Sequence, residues 1–419
     1  YIHEVSFLYS YTISFSLLLV GNKINNDSYF KRLFLTSLIS FIVSIPITIY
    51  FFNQINILSV FYNMLFVPLI SMIVFPLSII TYIIPFFEPI FNVFISLMEF
   101  LALKFNSISF SKLIFPSLPR YYYILYTTGV IIFISYFYNK KIISVLPIIL
   151  LDLFNYLYPI FFNQNYLMFL DVGQGDSILI HSKDKTMLVD TGGVMNYSRE
   201  KWQERKNKKS LTDYVTIPIL KKLGIRKIDY LVLTHGDYDH MGEAINLVNN
   251  FKVDNVIFNC GEFNELEKEL IKVLDKKKIK YYSCIKELNI DNNKLYFLQT
   301  KEYDNENDNS NVIYTELDGY KFMFMGDAGV EKEKDILNKY NISVIDVLKI
   351  GYHGSKTSSS KEFINEINPN YSIISVGKNN RYGHPNKEVL NNLSDSKIYR
   401  TDQDGSIMFK IKNYKLKIE

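Results

Sequence analysis

Charged residues are missing from a long stretch near the N-terminus of this 419-residue chain. The 55 residues from Leu33 to Phe87 contain no Asp, Glu, Lys or Arg. About 20 apolar residues cross a bilayer once, so this run is long enough for about two crossings. The run therefore predicts membrane helices rather than a soluble domain. The net charge of +4 and the 48% hydrophobic content average two unlike halves, because the chain becomes polar after Asn165.

Cysteine is also scarce, with two residues, Cys260 and Cys284, both in the polar half. They form a disulfide if that half lies outside the cell, or they remain two free thiols. The chain begins with Tyr1 rather than Met, and it lacks the basic segment and the cleavage site of a signal peptide. We therefore expect a fragment whose upstream part is missing.

Residues 1–162 are predicted to form a membrane domain of about six transmembrane helices, near 5–20, 33–52, 57–84, 88–103, 121–138 and 142–161. Several of these spans carry proline, at positions 46, 68, 76, 85 and 89. Proline removes a backbone donor, so we expect kinked or broken helices. Such helices can line a transport pathway, but proline is also common in membrane helices, and the sequence leaves both interpretations open.

The distribution of Lys and Arg in short loops predicts the orientation. Lys23, Lys31 and Arg32 follow the first span, and Lys140 and Lys141 separate the fifth span from the sixth. With six spans these two loops share one face, which we assign to the cytoplasm, so the polar half would emerge on the outer face. The outer loop that contains Lys104, Lys112 and Arg120 speaks against this assignment.

The polar half, from residue 165 to 419, begins with predicted strands at Tyr166–Asp171, Ser177–His181 and Lys185–Val189, which are separated by turns rich in Gly and Asp. A buried strand at Ile228–Thr234 then leads into His235-Gly236-Asp237-Tyr238-Asp239-His240. Four side chains that can bind a metal thus fall within six residues directly after a strand. Mixed nitrogen and oxygen ligands suit Zn²⁺ or Mn²⁺, and the Asp at the third position favours harder ions. A polar loop with satisfied hydrogen bonds is the alternative.

Three further polar sites follow predicted strands. Asp327 comes after Tyr320–Met325, His353 after Val344–Ile350, and His384 after Ser372–Val376. We predict that Asp327 bridges two metals, that His353 completes the second metal site, and that His384 acts on a leaving group or phosphate. Asp239 is predicted to act in catalysis as well as in metal binding. The predicted substrate contacts are Asn309, Ser310, Ser355, Lys356 and Arg381.

Two divalent ions about 4 Å apart would clamp a phosphodiester and activate water near neutral pH. The interval between His240 and Asp327 contains no histidine, so one histidine-type ligand is missing. Asn309, Ser310 and Asn311 occupy a polar loop there, before a strand at Val312–Leu317. They either orient substrate or water, or they form a solvated turn.

A basic insert covers residues 199–209 and precedes a predicted helix at Thr212–Leu223. Basic clusters with an aromatic residue can hold single-stranded nucleic acid through phosphate contacts and stacking. A solvated loop is the more ordinary interpretation of such a run.

The ordered motifs of the polar half resemble those of the ComEC family of competence DNA-internalisation proteins. The matching segments read FLDVGQGDSILI (169–180), LVDTGG (188–193), LVLTHGDYDHMGE (231–243), NSNVIYTELDGYKFMFMGDA (309–328), DVLKIGYHGSKTSSS (346–360) and RYGHP (381–385). The membrane half is also similar to the channel domain of that family, notably at FYNMLFVP (61–68).

The resemblance implies a polytopic α-helical membrane domain followed by an αββα metallo-β-lactamase-like hydrolase domain. It implies a channel in the plasma membrane that passes one DNA strand into a competent cell, and an outer domain that processes the DNA as a nuclease. The implied partners are single-stranded DNA, a DNA receptor and a cytoplasmic helicase, while a homo-oligomer is left open. The positions that match the metal ligands of the family are His235, Asp237, Asp239, His240, Asp327 and His353.

One departure from the family pattern concerns the histidine pair. Family members have His-His-Gly-Ser where this chain has Tyr352-His353-Gly354-Ser355. If the first histidine were the ligand, the second metal site would be weakened. This departure leaves open a catalytically silent domain that guides DNA into the channel. A surface metal-dependent phosphodiesterase that acts on wall polymers is also open, because the same kind of metal site hydrolyses many esters.

Overall fold

The computed structural model describes residues 4–24, 28–108, 110–137, 142–162, 164–183, 185–193, 210–291, 293–342, 344–412 and 415–419. The chain divides into two compact units. The first comprises Tyr1–Phe161 with Lys221–Gly224, and the second comprises Phe162–Leu220 with Ile225–Glu419. The basic insert predicted to contact nucleic acid lies outside the described residues.

The first unit is helical, with one short antiparallel strand pair, β1 (Gln54–Asn56) and β2 (Lys112–Ile114). Its helices are α1 (Val5–Ile24), α2 (Tyr29–Phe52), α3 (Ser59–Pro68), α4 (Phe75–Ile83), α5 (Glu88–Asn106), α6 (Arg120–Phe137) and α7 (Leu146–Phe161). Among the described residues, four helical stretches are long and apolar enough to cross a membrane: Tyr29–Phe52, Ser59–Ile83, Pro85–Asn106 and Ile143–Phe161. A shorter apolar helix covers Val5–Gly21. The predicted number of six crossings stays a prediction.

The prolines act on these helices in different ways. Pro68 ends α3 and is followed by a π-helical segment, Leu69–Val74, which joins α3 to α4 in one continuous stretch. A π-helical segment widens the turn and relieves the crowding that proline imposes on the preceding carbonyl groups. Pro85 begins a short 3₁₀ turn between α4 and α5, so the chain breaks there as predicted.

Apolar packing inside the first unit is uneven. A buried cluster that includes Val20, Ile39, Ile49, Tyr126 and Phe133 holds α1, α2 and α6 together. By contrast, only 6% of the apolar window in Ser59–Ile83 and 0% of that in Pro85–Asn106 is buried. Exposed apolar helices of this length are typical of segments that lie in lipid.

The second unit contains two mixed sheets. Its first sheet has eight strands in the order β17-β16-β3-β4-β5-β6-β7-β8, and its second has seven in the order β15-β14-β13-β12-β11-β10-β9. The strands of the first sheet are β3 (Tyr166–Phe169), β4 (Ile178–Ser182), β5 (Lys185–Val189), β6 (Ile228–Val232), β7 (Val253–Phe258), β8 (Lys280–Ser283), β16 (Ile407–Lys412) and β17 (Lys415–Ile418). Those of the second are β9 (Glu287–Ile290), β10 (Asn293–Phe297), β11 (Ile313–Leu317), β12 (Tyr320–Phe324), β13 (Val347–Lys349), β14 (Tyr371–Ile374) and β15 (Lys397–Arg400).

The helices that lie mostly or wholly in this unit are α8 (Ile217–Lys222), α9 (Tyr238–Met241), α10 (Ala244–Asn250), α11 (Glu265–Lys277), α12 (Val330–Lys339), α13 (Lys361–Ile367), α14 (Lys387–Asn392) and α15 (Thr401–Asp404). A cluster of buried side chains from both sheets lies between them, with the rings of Phe169 and Phe324 6.1 Å apart. A second cluster packs α12, α13 and α14 on the outer face of the seven-stranded sheet. Burial of Leu247, Leu270 and Leu274 places the apolar faces of α10 and α11 in the interior. The fold is the predicted αββα arrangement.

The strands predicted from apolar runs are all present, with ends that differ by a few residues. The largest difference concerns Val344–Ile350, of which only Val347–Lys349 is a strand. The helix predicted at Thr212–Leu223 consists of a π-helical turn, Thr212–Thr216, followed by α8. Because β5, β6 and β7 run parallel to one another, and β12, β13 and β14 do as well, the loops at their carboxyl ends meet along one edge of the two sheets.

Candidate metal centre

The loop His235–His240 follows β6 and is held by two earlier turns. The amide of Asp176 donates to the carbonyl of Asp239 at 3.2 Å, and the amide of Thr191 donates to the carbonyl of His240 at 2.7 Å. A Cβ at Gly175 would lie 2.1 Å from the Asp239 carbonyl oxygen, and one at Gly193 would lie 2.0 Å from that of Tyr238. Only glycine permits such close backbone contact, so the two glycine turns position the metal-binding loop.

Asp190, fully buried in the turn after β5, orients the second histidine of this loop. Its Oδ1 accepts the Thr234 amide at 2.8 Å. Its Oδ2 accepts the Thr234 hydroxyl at 2.6 Å and lies 2.8 Å from His240 Nδ1. The proton of the imidazole is therefore held on Nδ1, which leaves the lone pair of Nε2 directed inward.

An unusual backbone conformation directs Nε2 of His353 into the same region as Nε2 of His240. Tyr352 and His353 both have positive φ, 48° and 51°, which is rare for two successive residues other than glycine. This conformation buries the imidazole, and its Nδ1 lies 2.9 Å from the Ser375 carbonyl. Nδ1 is thus the donor, and Nε2 faces Asp239 Oδ2 at 3.3 Å and Asp327 Oδ2 at 3.5 Å.

Four buried atoms converge without hydrogen bonds of good geometry to any described residue: Nε2 of His235, His240 and His353, and Oδ1 of Asp327. Buried polar atoms without partners are costly, and a bound cation would satisfy all four. His235, His240 and Asp327 offer ligand atoms within 4.8 Å of one another, and so do Asp239, His240 and His353. This donor set fits a pair of divalent ions that share the region around His240 and Asp327.

Asp237 differs from the other predicted ligands in its exposure. Its side chain is 47% exposed, and Oδ2 lies 3.5 Å from His235 Nε2. Asp237 therefore lies at the edge of the group formed by His235, His240 and Asp327.

Ser310 lies beside the cluster, within the interval between His240 and Asp327 that contains no histidine. Its hydroxyl lies 3.3 Å from His235 Nδ1 and accepts the Asp327 amide at 3.1 Å, so Ser310 contacts two predicted ligands from behind. Asn309 bonds the backbone of Tyr303 through both ends of its amide, at 3.0 and 2.8 Å. Asn311 donates to the Leu233 carbonyl at 3.1 Å. These contacts hold the loop in place.

A buried ion pair beside the ligands was not predicted from the sequence. Lys349, fully buried in β13, forms an ion pair with Asp176 and donates to the Gly326 carbonyl at 2.8 Å. Its Nζ lies 3.9 Å from Asp327 Oδ1. The signal that could have revealed it is a lone lysine within an apolar strand, because a lysine is rarely buried without a partner.

The charges of the cluster shift its pKa values in opposite directions. Burial would raise the pKa of Asp239, but the close approach of His353 and the positive charges of His240 and His353 lower it to about 2. Burial would likewise raise the pKa of Asp327, yet the two histidines and Lys349 hold it well below the usual range. Burial would lower the pKa of His240, but Asp327 and Asp190 raise it well above the usual value. Without metal, the cluster therefore holds protons at the positions where metal ions would bind.

The remaining predicted residues lie in loops around the cluster. Ser355 shares a hydrogen bond with Thr357 at 3.0 Å, and Lys356 is exposed. His384 is half-buried, and its ring stacks on that of Tyr382 at 5.8 Å and lies 6.2 Å from that of Tyr352. Burial and the charge of His353 lower the pKa of His384. Arg381 lies beside Tyr382 on the surface.

The two cysteines are bonded to each other, Cys260 after β7 and Cys284 after β8. Of the two alternatives that the sequence left open, the structure has the disulfide. It closes a segment of 24 residues that contains α11.

Comparisons with known proteins identify two regions of the chain. The family model described as Competence protein matches residues 1–140, and that of the metallo-beta-lactamase superfamily matches residues 170–378. ComE operon protein 3 of Bacillus subtilis is 31% identical over 439 residues, 99% of this chain and 56% of that protein. Competence protein ComA of Neisseria gonorrhoeae is 29% identical over 254 residues, 59% of this chain and 32% of that protein.

The chain thus spans 56% of the length of the first of these relatives and 32% of the second. Among solved structures, the metallo-beta-lactamase fold protein YhfI from Bacillus subtilis is similar over 59% of this chain and 100% of its own, with 12% identity and a TM-score of 0.39.

Proposed function

We propose that this chain takes part in DNA uptake across the plasma membrane and that its second unit is a metal-dependent phosphodiesterase that processes the DNA. The chain belongs, by homology along nearly its whole length, to the ComEC-type competence proteins with a metallo-β-lactamase domain. The family supports the uptake role. The second unit supports the chemistry, because its fold carries the ligand cluster at the edge of the sheets.

One observation carries the hydrolase proposal. Three imidazole Nε2 atoms and Asp327 Oδ1 point into one buried region and find no good hydrogen bond among the described residues. A pair of Zn²⁺ or Mn²⁺ ions, when bound, would supply Lewis acidity and an activated water. His235 and Asp327 with Asp237 would hold the first ion, and Asp239, His240 and His353 would hold the second.

Other residues of the chain would bind and orient the phosphodiester. Arg381 would contact phosphate oxygens, and Lys356 would add positive charge at the surface. His384, at the half-buried edge of the cluster, would donate a hydrogen bond to the leaving group. Asp239, kept ionised by its low pKa, would accept a hydrogen bond from the attacking water as well as bind metal.

The second unit is proposed to lie on the outer face of the membrane. The Lys and Arg distribution favours that side, and the Cys260–Cys284 bond supports it, because disulfides persist in oxidising compartments. Protease added to intact cells should cleave the second unit. Full protection, with cleavage only after lysis, would contradict the outer location.

The proposed activity is tested with the purified 419-residue chain in detergent. After metal removal, Mn²⁺ or Zn²⁺ is added back, and single-stranded DNA, double-stranded DNA and bis(p-nitrophenyl) phosphate are offered separately. We expect metal-dependent hydrolysis that is lost in the double variant Asp239→Asn with Asp327→Asn. Asp229→Asn is the matched control, because Asp229 is also buried but lies at the other end of β6 from His235.

The outcomes separate the three functions. Hydrolysis that does not need metal, or that persists in the double variant, would sink the hydrolase proposal. Hydrolysis of the generic diester without cleavage of DNA would favour a phosphodiesterase that acts on wall polymers. DNA binding without hydrolysis of any substrate would favour a guiding domain, in keeping with Tyr352 at a position where the family has histidine and with the interval between His240 and Asp327 that contains no histidine.

A further inference from the structure

A cavity of about 590 Å³ opens beside the metal centre, and Asp239 forms part of its wall. Its other walls include Leu211, Tyr214, Asn379, Arg381 and Tyr382. Pockets of this volume hold small ligands or parts of larger ones. Because Asp239 is a predicted metal ligand, whatever group occupies the cavity lies next to the reacting phosphate.

The cavity combines two aromatic faces with the positive charge of Arg381 and the carboxylates of Asp171 and Asp239. Tyr214 is 55% exposed and Tyr382 is 58% exposed, although both rings line the cavity. Exposed aromatic rings at a groove are the usual platforms for unpaired nucleobases, and they stack on any base. Arg381, the neighbour of Tyr382, can contact a phosphate of the same strand.

The loop that carries these residues is held by Asn380. Its side chain donates to the carbonyls of Gly377 at 3.3 Å and His384 at 2.7 Å, and it accepts the His384 amide at 2.9 Å. Asn380 thus closes the loop on itself and fixes the direction of Arg381 and Tyr382. A fixed platform loses little conformational freedom when a ligand binds.

A row of rings connects the platform to the metal centre. Tyr382 stacks on His384 with centroids 5.8 Å apart and planes 13° apart, and His384 lies 6.2 Å from Tyr352. Tyr352 directly precedes His353 in the chain. A base on Tyr382 would therefore lie one ring away from His384, which is the proposed partner of the leaving group.

We infer that this cavity binds the nucleobase of the nucleotide next to the scissile phosphate, so that the second unit acts on an unpaired strand. The inference rests on the proposed phosphodiesterase function and narrows its substrate. A paired base is buried in the duplex stack and could reach the cavity only after it is unstacked. Strand separation, or a frayed end, must therefore precede cleavage.

The test measures binding rather than activity. The Mn²⁺-loaded full chain is titrated calorimetrically with thymidine 5′-monophosphate and with 2-deoxyribose 5-phosphate, which has the same phosphate but lacks the base. We expect the nucleotide to bind about 5- to 150-fold more tightly, the range of one base stacked on an aromatic ring. Tyr382→Ala and Tyr214→Ala should each reduce this ratio, and Tyr382→Phe should keep it.

Tyr282→Ala is the matched control, because Tyr282 is also an exposed tyrosine but lies on β8. Equal affinity of the wild-type chain for the two probes would overturn the inference, and so would an unchanged ratio in Tyr382→Ala together with Tyr214→Ala. Hydrolysis of bis(p-nitrophenyl) phosphate is measured on the same samples. Absence of hydrolysis in the wild-type chain would refute the phosphodiesterase proposal alone. The ratio of the affinities for the nucleotide and for 2-deoxyribose 5-phosphate would still decide the inference about the cavity.

Discussion

Replacement of Asp190 by Asn should weaken metal binding through His240, although Asp190 is not itself a ligand of the cluster centre. The two side chains have the same shape, but the amide has only one acceptor oxygen. In one orientation the amide nitrogen faces His240 Nδ1. The imidazole must then accept at Nδ1 and carry its proton on Nε2, where it can no longer bind a cation.

The other orientation of the introduced amide carries a different penalty. The amide nitrogen then faces the Thr234 backbone amide, which donates to Asp190 Oδ1 at 2.8 Å in the wild-type chain. Two buried donors that face each other leave at least one unsatisfied, at a cost of about 1–3 kcal/mol. Both orientations are therefore unfavourable, and the variant adopts whichever costs less.

The expected change in metal affinity follows from the role of the carboxylate that bonds to a metal-binding histidine. Loss of the partner of a metal-binding histidine weakens metal affinity about 10- to 100-fold, which corresponds to about 1.4–2.7 kcal/mol. We expect the Kd for Mn²⁺ to rise by that factor. The assay is calorimetric titration of the metal-depleted full chain, with melting in EDTA to show that the variant is folded.

Asp229→Asn serves as the control for loss of a buried carboxylate. Asp229 accepts the Thr186 amide at 2.9 Å and pairs with Lys227 at 2.6 Å, with no metal ligand among these contacts. Its replacement should leave the Kd for Mn²⁺ unchanged. A folded Asp190→Asn variant whose Kd stays within about threefold of the wild-type value would refute the reasoning.

The other predictions concern stability and pH. Lys349→Met leaves Asp176 buried without its partner and should cost about 3–5 kcal/mol, measured by calorimetric melting; Lys356→Met at the surface should change the melting temperature little, and equal effects of the two would contradict the importance of the ion pair. Reduction of the disulfide, which closes 24 residues, should cost about 3.5 kcal/mol, and a Cys260→Ser, Cys284→Ser chain should melt at the lower temperature with or without reductant. Asn264 caps α11 in a capping box, so Asn264→Ala should cost about 1 kcal/mol, or about 2–4 °C, while Asn264→Asp should retain most of the stability. In metal-free protein the raised pKa of His240 adds stability that is complete below about pH 6.5 and lost as pH rises through the higher folded value. The melting temperature in EDTA should therefore fall from pH 6 to pH 9, whereas affinity for Mn²⁺ rises because protons no longer compete; a melting temperature that rises over this range would contradict the assigned shift.

The sequence predicted the elements whose pattern is local. An apolar run that ends in Gly or Asp identifies a strand and its turn, which is why β6, β12 and β14 were found within a few residues. Histidine is scarce, with six in the chain, so His235 and His240 in one loop were conspicuous. The polar edge strands β8 and β9 and the short helices α12 to α14 were not predicted, because their patterns are weak and their stability comes from packing.

By itself the sequence determined the division into an apolar and a polar half and the order of the motifs, and it supplied the candidate ligand residues. Only the tertiary structure decided how these residues act together. The pairing of Lys349 with Asp176 joins positions 173 residues apart in the chain, and the proton of His240 is directed by Asp190, which precedes it by 50 residues. The cavity between Tyr214 and Tyr382 likewise exists only because the loops at the carboxyl ends of two separate sheets meet at one edge. Such contacts depend on how distant strands align, and no local pattern in the chain records that alignment.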